Sequence, residues 1–147
     1  DHSETIAAIA SLAGAAANVD HPAPVHPVHV LQIHGTADSV IAYEGGHLNR
    51  FEDTAGREIS HPYPGAVETV ERWASYNGCT LQKRSAQNRD LDELLPGAET
   101  AVTQHSESCK NGGSSELWTI SGGAHSPDIS DSFSRQIVQW LLAHPKP

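Results

Sequence analysis

The stretch Val28-His29-Val30-Leu31-Gln32-Ile33-His34-Gly35-Thr36-Ala37-Asp38 is an apolar run that stops abruptly at a small-residue turn and delivers a carboxylate. Such a run, bounded by turn residues, reads as a buried strand. A second delivery lies downstream, where Glu116-Leu117-Trp118-Thr119-Ile120 runs into Ser121-Gly122-Gly123-Ala124-His125. Thr100 to His105 alternates enough to be a further strand, joined to Glu116 by a turn over Ser106 to Ser115. Between these lies an amphipathic helix from Pro64 to Gly78. Proline stands near its first turn, Val67, Val70, Trp73 and Ala74 share a face, and Gly78 is a stop. A last helix is expected over Asp131 to His144, capped by Ser130 or Asp131, with Phe133, Ile137, Trp140 and Leu141 as its buried stripe and prolines at 145 and 147 ending it.

Other segments carry weaker patterns. Ile6 to Gly14 fits a small-residue helix or a buried strand, which periodicity does not separate, and the favoured reading is the end of a helix passing into a short strand. From Val19 to Pro27, prolines at 22, 24 and 27 argue for an extended linker. Ser39 to Tyr63 has no sustained period and reads as a long loop of the kind that often carries function, and the stretch after Cys79 is polar. There are no internal repeats. Strands alternating with helices predict an α/β fold with a mostly parallel sheet of three or four strands and flanking helices. Residues 1–147 are expected to form a single domain. The open edge of so small a sheet would be a liability unless another strand covered it.

Composition narrows the function classes. Hydrophobic content is 37% and the apolar runs are far shorter than a membrane span, so no membrane association is expected. No signal peptide opens the chain, which puts any export signal upstream. The net charge of −9 repels nucleic acid and anionic membranes. Ten histidines would reduce that charge sharply if several protonated below about pH 6.5. Cys79 and Cys109 are the only cysteines and form no Cys-x-x-Cys pair. One structural disulfide is the favoured reading and two unpaired core thiols the alternative; a bridge would point to an extracellular or periplasmic protein.

Asp38 and His125 both follow predicted strands, where the loops of an open α/β sheet converge on one crevice. In a catalytic triad a carboxylate accepts a hydrogen bond from one imidazole nitrogen, so that the other can take a proton from the nucleophile. Acid before base is the chain order of α/β hydrolases. Taken singly, Asp38 could be a turn residue and His125 a surface histidine. The third member, a serine on a Gly-x-Ser-x-Gly elbow, is absent from the sequence. Ser11, Ser39 and Ser126 have no elbow around them, and Ser126 is the least implausible alternative nucleophile because its loop reaches the site. His21, His26, His29 and His34 cluster in sequence, but a proline-rich linker is a poor platform for zinc, and no metal is expected. His34 is expected to pack or hydrogen-bond behind the turn that presents Asp38. His47 and His61 are placed along the long loop near the cleft, and His2, His105 and His144 on the surface.

Four motifs make a resemblance specific: His34-Gly35-Thr36-Ala37-Asp38; Tyr43-Glu44-Gly45-Gly46; Trp73-Ala74-Ser75-Tyr76-Asn77-Gly78-Cys79; and Trp118-Thr119-Ile120-Ser121-Gly122-Gly123-Ala124-His125. In this order and spacing the chain resembles the C-terminal half of the polyhydroxybutyrate depolymerase and feruloyl esterase group of α/β hydrolases, over nearly its whole length. The resemblance implies a partial α/β-hydrolase fold, a triad acid at Asp38, a base at His125 and a cysteine pair at Cys79 and Cys109. It also implies a secreted or periplasmic carboxylic ester hydrolase without a cofactor, acting on a small ester, polyester or aryl ester. The family's nucleophile and oxyanion hole fall upstream of the segment matching Ile6 to Gly14. Where the family commonly has tryptophan soon after the histidine, this chain has Ser126-Pro127-Asp128.

The leading expectation is therefore the acid-and-base part of a serine esterase, partnered by the N-terminal half of the hydrolase. One rival is a short esterase built by self-association into a homo-oligomer with an unconventional nucleophile. Another is an inactive interaction or carbohydrate-binding module, for which Trp118, Tyr43 and Tyr63 would be the exposed rings.

Overall fold

A computed structural model describes residues 2–16, 22–52, 54–56 and 58–147. In chain order the strands and helices are β1 (Ala8–Leu12), β2 (His29–Gly35), β3 (Gly45–Glu52), β4 (Glu58–Pro64), α1 (Ala66–Tyr76), β5 (Arg84–Arg89), β6 (Thr100–His105), β7 (Ser115–Ile120) and α2 (Phe133–Ala143). Five strands form one sheet in the order β1-β2-β7-β6-β5, and β3 with β4 forms a separate two-stranded ribbon.

The sheet is mixed rather than mostly parallel. β1, β2 and β7 run parallel, while β6 and β5 are antiparallel to their neighbours. The reason is connection length: β6 reaches β7 through the short segment 106–114, which permits an antiparallel return and is too short for a crossover. The Ser39–Tyr63 region is not a loop throughout, because it holds the β3–β4 ribbon. Glycines at 45 and 46 and prolines at 62 and 64 obscured it; proline is tolerated here because a two-stranded ribbon has only edges. β5 also escaped the hydrophobic pattern. Five of its six residues are exposed, as suits a charged edge strand. The segment before β1 is non-helical, so the expected helix end at Ile6 is absent. The linker expected over Val19 to Pro27 falls partly outside the described residues.

Each face of the sheet buries one helix. Leu31, Ile33, Val102, Trp118 and Ile120 pack with Leu91 and with Phe133 and Trp140 of α2, while Leu117 meets Ala66 and Val70 of α1. Period-two alternation sends Gln32 and His34 to the face opposite Leu31 and Ile33. Both polar side chains are nonetheless buried. On the α2 side a buried carboxylate, Glu116, accepts hydrogen bonds from Trp118 Nε1, from Gln104 Nε2 at 2.9 Å and from Trp140 Nε1 at 3.1 Å. The Arg89 guanidinium lies 4.1 Å from the centre of the Trp118 ring, a cation–π contact on the same side.

Three fastenings hold the layers together. Cys79 and Cys109 are disulfide-bonded, joining the end of α1 to the β6–β7 connection. Asn77, fully buried after α1, donates to the Val28 and Ser114 carbonyls and accepts from the Val28 N–H, so one amide ties the helix to the starts of two strands. Lys146 Nζ donates to the carbonyls of Ser3, Ile6 and Pro27 at 2.6, 3.1 and 2.7 Å.

Several surface expectations fail. His105 is buried, and His144 is half-buried, stacked on Trp140 with centroids 4.1 Å apart. Trp118 is fully buried and Tyr63 nearly so, which removes two of the three rings offered for polymer binding. Tyr43 is half-buried, and its hydroxyl bonds with the Thr119 hydroxyl. No helix of the described residues is long and apolar enough to cross a membrane.

Candidate active site

The parallel strands β2 and β7 are neighbours in register, with Gly35 opposite Ile120, so the turns that follow them leave the sheet side by side. The turns are then cross-linked. Thr36 N–H donates to the Ile120 carbonyl and Ala37 N–H to the Gly123 carbonyl, both at 3.0 Å, and Gly122 N–H donates to the Thr36 hydroxyl at 2.8 Å. Gly122 sits at φ +82°, a conformation a side chain would strain. Gly35 is required for a different reason, because a Cβ there would stand 2.1 Å from the Gly123 carbonyl oxygen.

This clamp brings the two chemical residues together across 87 positions of sequence: His125 Nδ1 lies 2.9 Å from Asp38 Oδ2. The Asp38 side chain is wholly buried, while the His125 side chain keeps 37% of its surface exposed. A buried carboxylate needs donors. Asp38 Oδ1 accepts the backbone N–H groups of Val40 and Ile41, each at 2.8 Å, in an Asx-type turn that fixes the carboxylate plane. Burial pushes the Asp38 carboxyl up, but the hydrogen bond from His125, the two backbone N–H groups and the His125 charge outweigh it and hold the group below the usual carboxylate range. An ionised acceptor on Nδ1 selects the tautomer with its proton on that nitrogen, leaving Nε2 as a base. Among the described residues, Nε2 of His125 has no hydrogen-bond partner.

Ser39 and Ser126 are both exposed, Ser11 is half-buried on β1, and none of the three is hydrogen-bonded to His125. The arrangement therefore has an oriented base without a nucleophile in contact. His34 does lie behind the turn and hydrogen-bonds there, as expected, through Nε2 to the Ile41 carbonyl at 2.8 Å. Its Nε2 is 3.2 Å from Asp38 Oδ2, a contact foreshadowed only by polar residues at 32 and 34 in an otherwise apolar strand. His29 bonds through Nδ1 to the Ser114 hydroxyl at 2.8 Å, away from this site. His21 falls outside the described residues. Among those described, no three histidine, cysteine or acidic side chains converge as a metal site would require.

No family model matches the chain. The chain is 33% identical over 102 residues to feruloyl esterase B of Piromyces equi, a match that takes in 69% of this chain and 16% of that protein. It thus spans about a sixth of the length of the curated relative it matches. The similarity is to a part of an esterase, found in a chain whose mixed five-stranded sheet with two helices is compatible with a partial α/β fold.

Proposed function

We propose that this chain supplies the acid and base of a serine-type carboxylic ester hydrolase, and that it is the C-terminal part of an α/β-hydrolase domain whose serine and oxyanion hole lie in protein upstream of these residues. The observation that carries the reading is the 2.9 Å bond between a wholly buried Asp38 and a half-exposed His125. Asp38 holds the Nδ1 proton. Nε2 then takes the proton from the serine hydroxyl as it attacks the ester carbonyl, and returns it to the departing alkoxide as the acyl-enzyme forms. Water repeats the exchange to release the acid. The proposed steps need no cofactor beyond these side chains and the serine.

Similarity to a feruloyl esterase supports an ester as substrate, with small, aryl and polyester compounds as the classes to test, as in the depolymerase and feruloyl esterase group. The edge of β1 supports a missing neighbour. β1 is a parallel strand with β2 on one side only among the described residues, and Leu12 at its end and Ile6 just before its start are exposed. Parallel strands ordinarily occur buried. A segment carrying the nucleophile would cover this edge, and the disulfide suits a secreted or periplasmic setting.

The test is hydrolysis of short-chain nitrophenyl esters by the protein extended upstream, compared with its Asp38→Ala and His125→Ala forms. Each substitution should lower kcat by about 10⁴-fold, the scale of losing a triad member. Undiminished turnover in either variant would overturn the proposal.

A further inference from the structure

We infer that His34 is a positioning residue for the acid–base pair, held in a single tautomer by Gln32 so that it donates a hydrogen bond to the Ile41 carbonyl and pins the backbone whose N–H the Asp38 carboxylate accepts. The inference rests on the reading of Asp38 and His125 as acid and base, and deepens it.

The chain of donors runs across the buried face of β2. Gln32 Nε2 lies 3.2 Å from the Gly14 carbonyl oxygen and 3.1 Å from His34 Nδ1. A carbonyl can only accept, so the group facing it is the amide NH₂, and the second N–H of that nitrogen points at His34 Nδ1. Nδ1 must therefore be the bare, accepting nitrogen, and Nε2 carries the proton. Nε2 donates that proton to the Ile41 carbonyl at 2.8 Å and stands 3.2 Å from Asp38 Oδ2. His34 is 1% exposed, and the Tyr43 ring meets it edge-on with centroids 5.8 Å apart, so the imidazole has no room to turn over.

The consequence falls on Asp38. A carboxylate has about four lone-pair sites. Here Oδ1 takes the N–H groups of Val40 and Ile41, and Oδ2 takes His125. Ile41 is gripped on both sides, its N–H by Asp38 and its carbonyl by His34. With both sites of Oδ1 filled by backbone N–H groups, and Ile41 itself held by His34, the carboxylate keeps Oδ2 turned towards the half-exposed His125 ring. His34 touches neither the reacting atoms nor the opening in which they would sit, so it acts only through Ile41 and Asp38.

Side-chain ¹⁵N NMR tests this without needing a nucleophile. In the wild-type chain, His34 should show a pure Nε2–H pattern, and His125 an Nδ1–H pattern with a low-field Nδ1 proton. His34→Phe keeps the ring packing against Tyr43 but removes the donor. It should lose the low-field proton and shift His125 to the Nε2–H tautomer while the backbone spectrum stays native. His34→Gln, whose amide nitrogen falls near the position of Nε2, should restore it. Gln32→Leu, which leaves His34 in place, should make His34 a mixture of tautomers and serves if the phenylalanine variant does not fold. A native His125 signature in His34→Phe, or a pure Nε2–H His34 in Gln32→Leu, would overturn the inference. A wild-type His125 without an Nδ1–H signature would instead remove the acid–base reading beneath it.

Discussion

Gly35 and Gly123 touch through their backbones: a Cβ placed on Gly123 would stand 3.3 Å from the Gly35 Cα, and one placed on Gly35 would meet the Gly123 carbonyl oxygen at 2.1 Å. For Gly35 the obstacle is backbone, so no side chain can swing out of the way. Gly35→Ala must push the two turns apart, at a cost of about 1–3 kcal/mol, typical of overpacking. The separation of Asp38 from His125 should grow with it. Denaturant unfolding measures the first effect, and loss of the low-field His125 proton the second; an alanine variant of wild-type stability and spectrum would show that the contact is not needed.

Glu116 accepts from Trp118, Gln104 and Trp140, so it joins the centre of the sheet to α2. Glu116→Leu strands three donors at once. Each buried unsatisfied group costs about 1–3 kcal/mol, and the Trp140 indole, 5% exposed, has little recourse to water. We expect a fall in thermal midpoint large enough to unfold the chain near ambient temperature. Glu116→Gln, which keeps one acceptor, should fall between this variant and the wild type, and a leucine variant as stable as the glutamine one would be inconsistent with this account.

The Cys79–Cys109 bridge closes a loop of sequence separation 30. Chain entropy assigns such a closure about 3–4 kcal/mol. Reduction, or the double replacement Cys79→Ala and Cys109→Ala, should lower unfolding stability by that order. The Asp38–His125 bond lies beyond the other ends of the strands and should survive, so stability and the His125 NMR signature are expected to separate.

Acidification should weaken the fold in two stages of the same sign. His29 is held below its ordinary value by burial and by the charges of His144 and Lys146, against the pull of the Pro145 carbonyl. His105 is lowered by burial and by Lys83, against Glu71 and the Thr80 carbonyl. Both bind protons more readily when unfolded, so their contribution is complete above about pH 6.5 and is lost as pH falls through their folded values. Asp38, also depressed, contributes above about pH 4 and loses that contribution further down as it protonates in the fold. Unfolding free energy measured between pH 8 and pH 3 checks the sign, and His29→Gln should flatten the upper stage. A stability that rises between pH 7 and pH 5 would contradict it.

The strands and helices that bury one clean face were legible in the pattern of the chain. β2, β7 and α2 are built from Leu31, Ile33, Trp118, Ile120, Phe133 and Trp140, whose spacing is that of the elements they occupy. β5 was not legible because an edge strand has little to bury. The β3–β4 ribbon was hidden because its glycines and prolines read as punctuation. Asp38 and His125 could be paired in advance because both follow apolar strands into small-residue turns. The part of His34 could not, since it depends on which nitrogen faces Gln32, and a one-dimensional pattern does not contain ring orientation. The rings of Trp118 and Tyr63 were misjudged for a related reason: a tryptophan that satisfies its N–H on Glu116 and a tyrosine whose hydroxyl takes the Ala42 N–H have no need of solvent.

Lys146 gathers the carbonyls of Ser3, Ile6 and Pro27 where the parallel strands begin, whereas Asp38 and His125 stand where they finish. The seven residues of β2 put roughly 20 Å between those two ends of the molecule. An affinity tag, a surface tether or a fusion partner joined after Pro147 would therefore leave from the pole remote from the histidine. Immobilisation through the carboxyl terminus should leave the approach to His125 open.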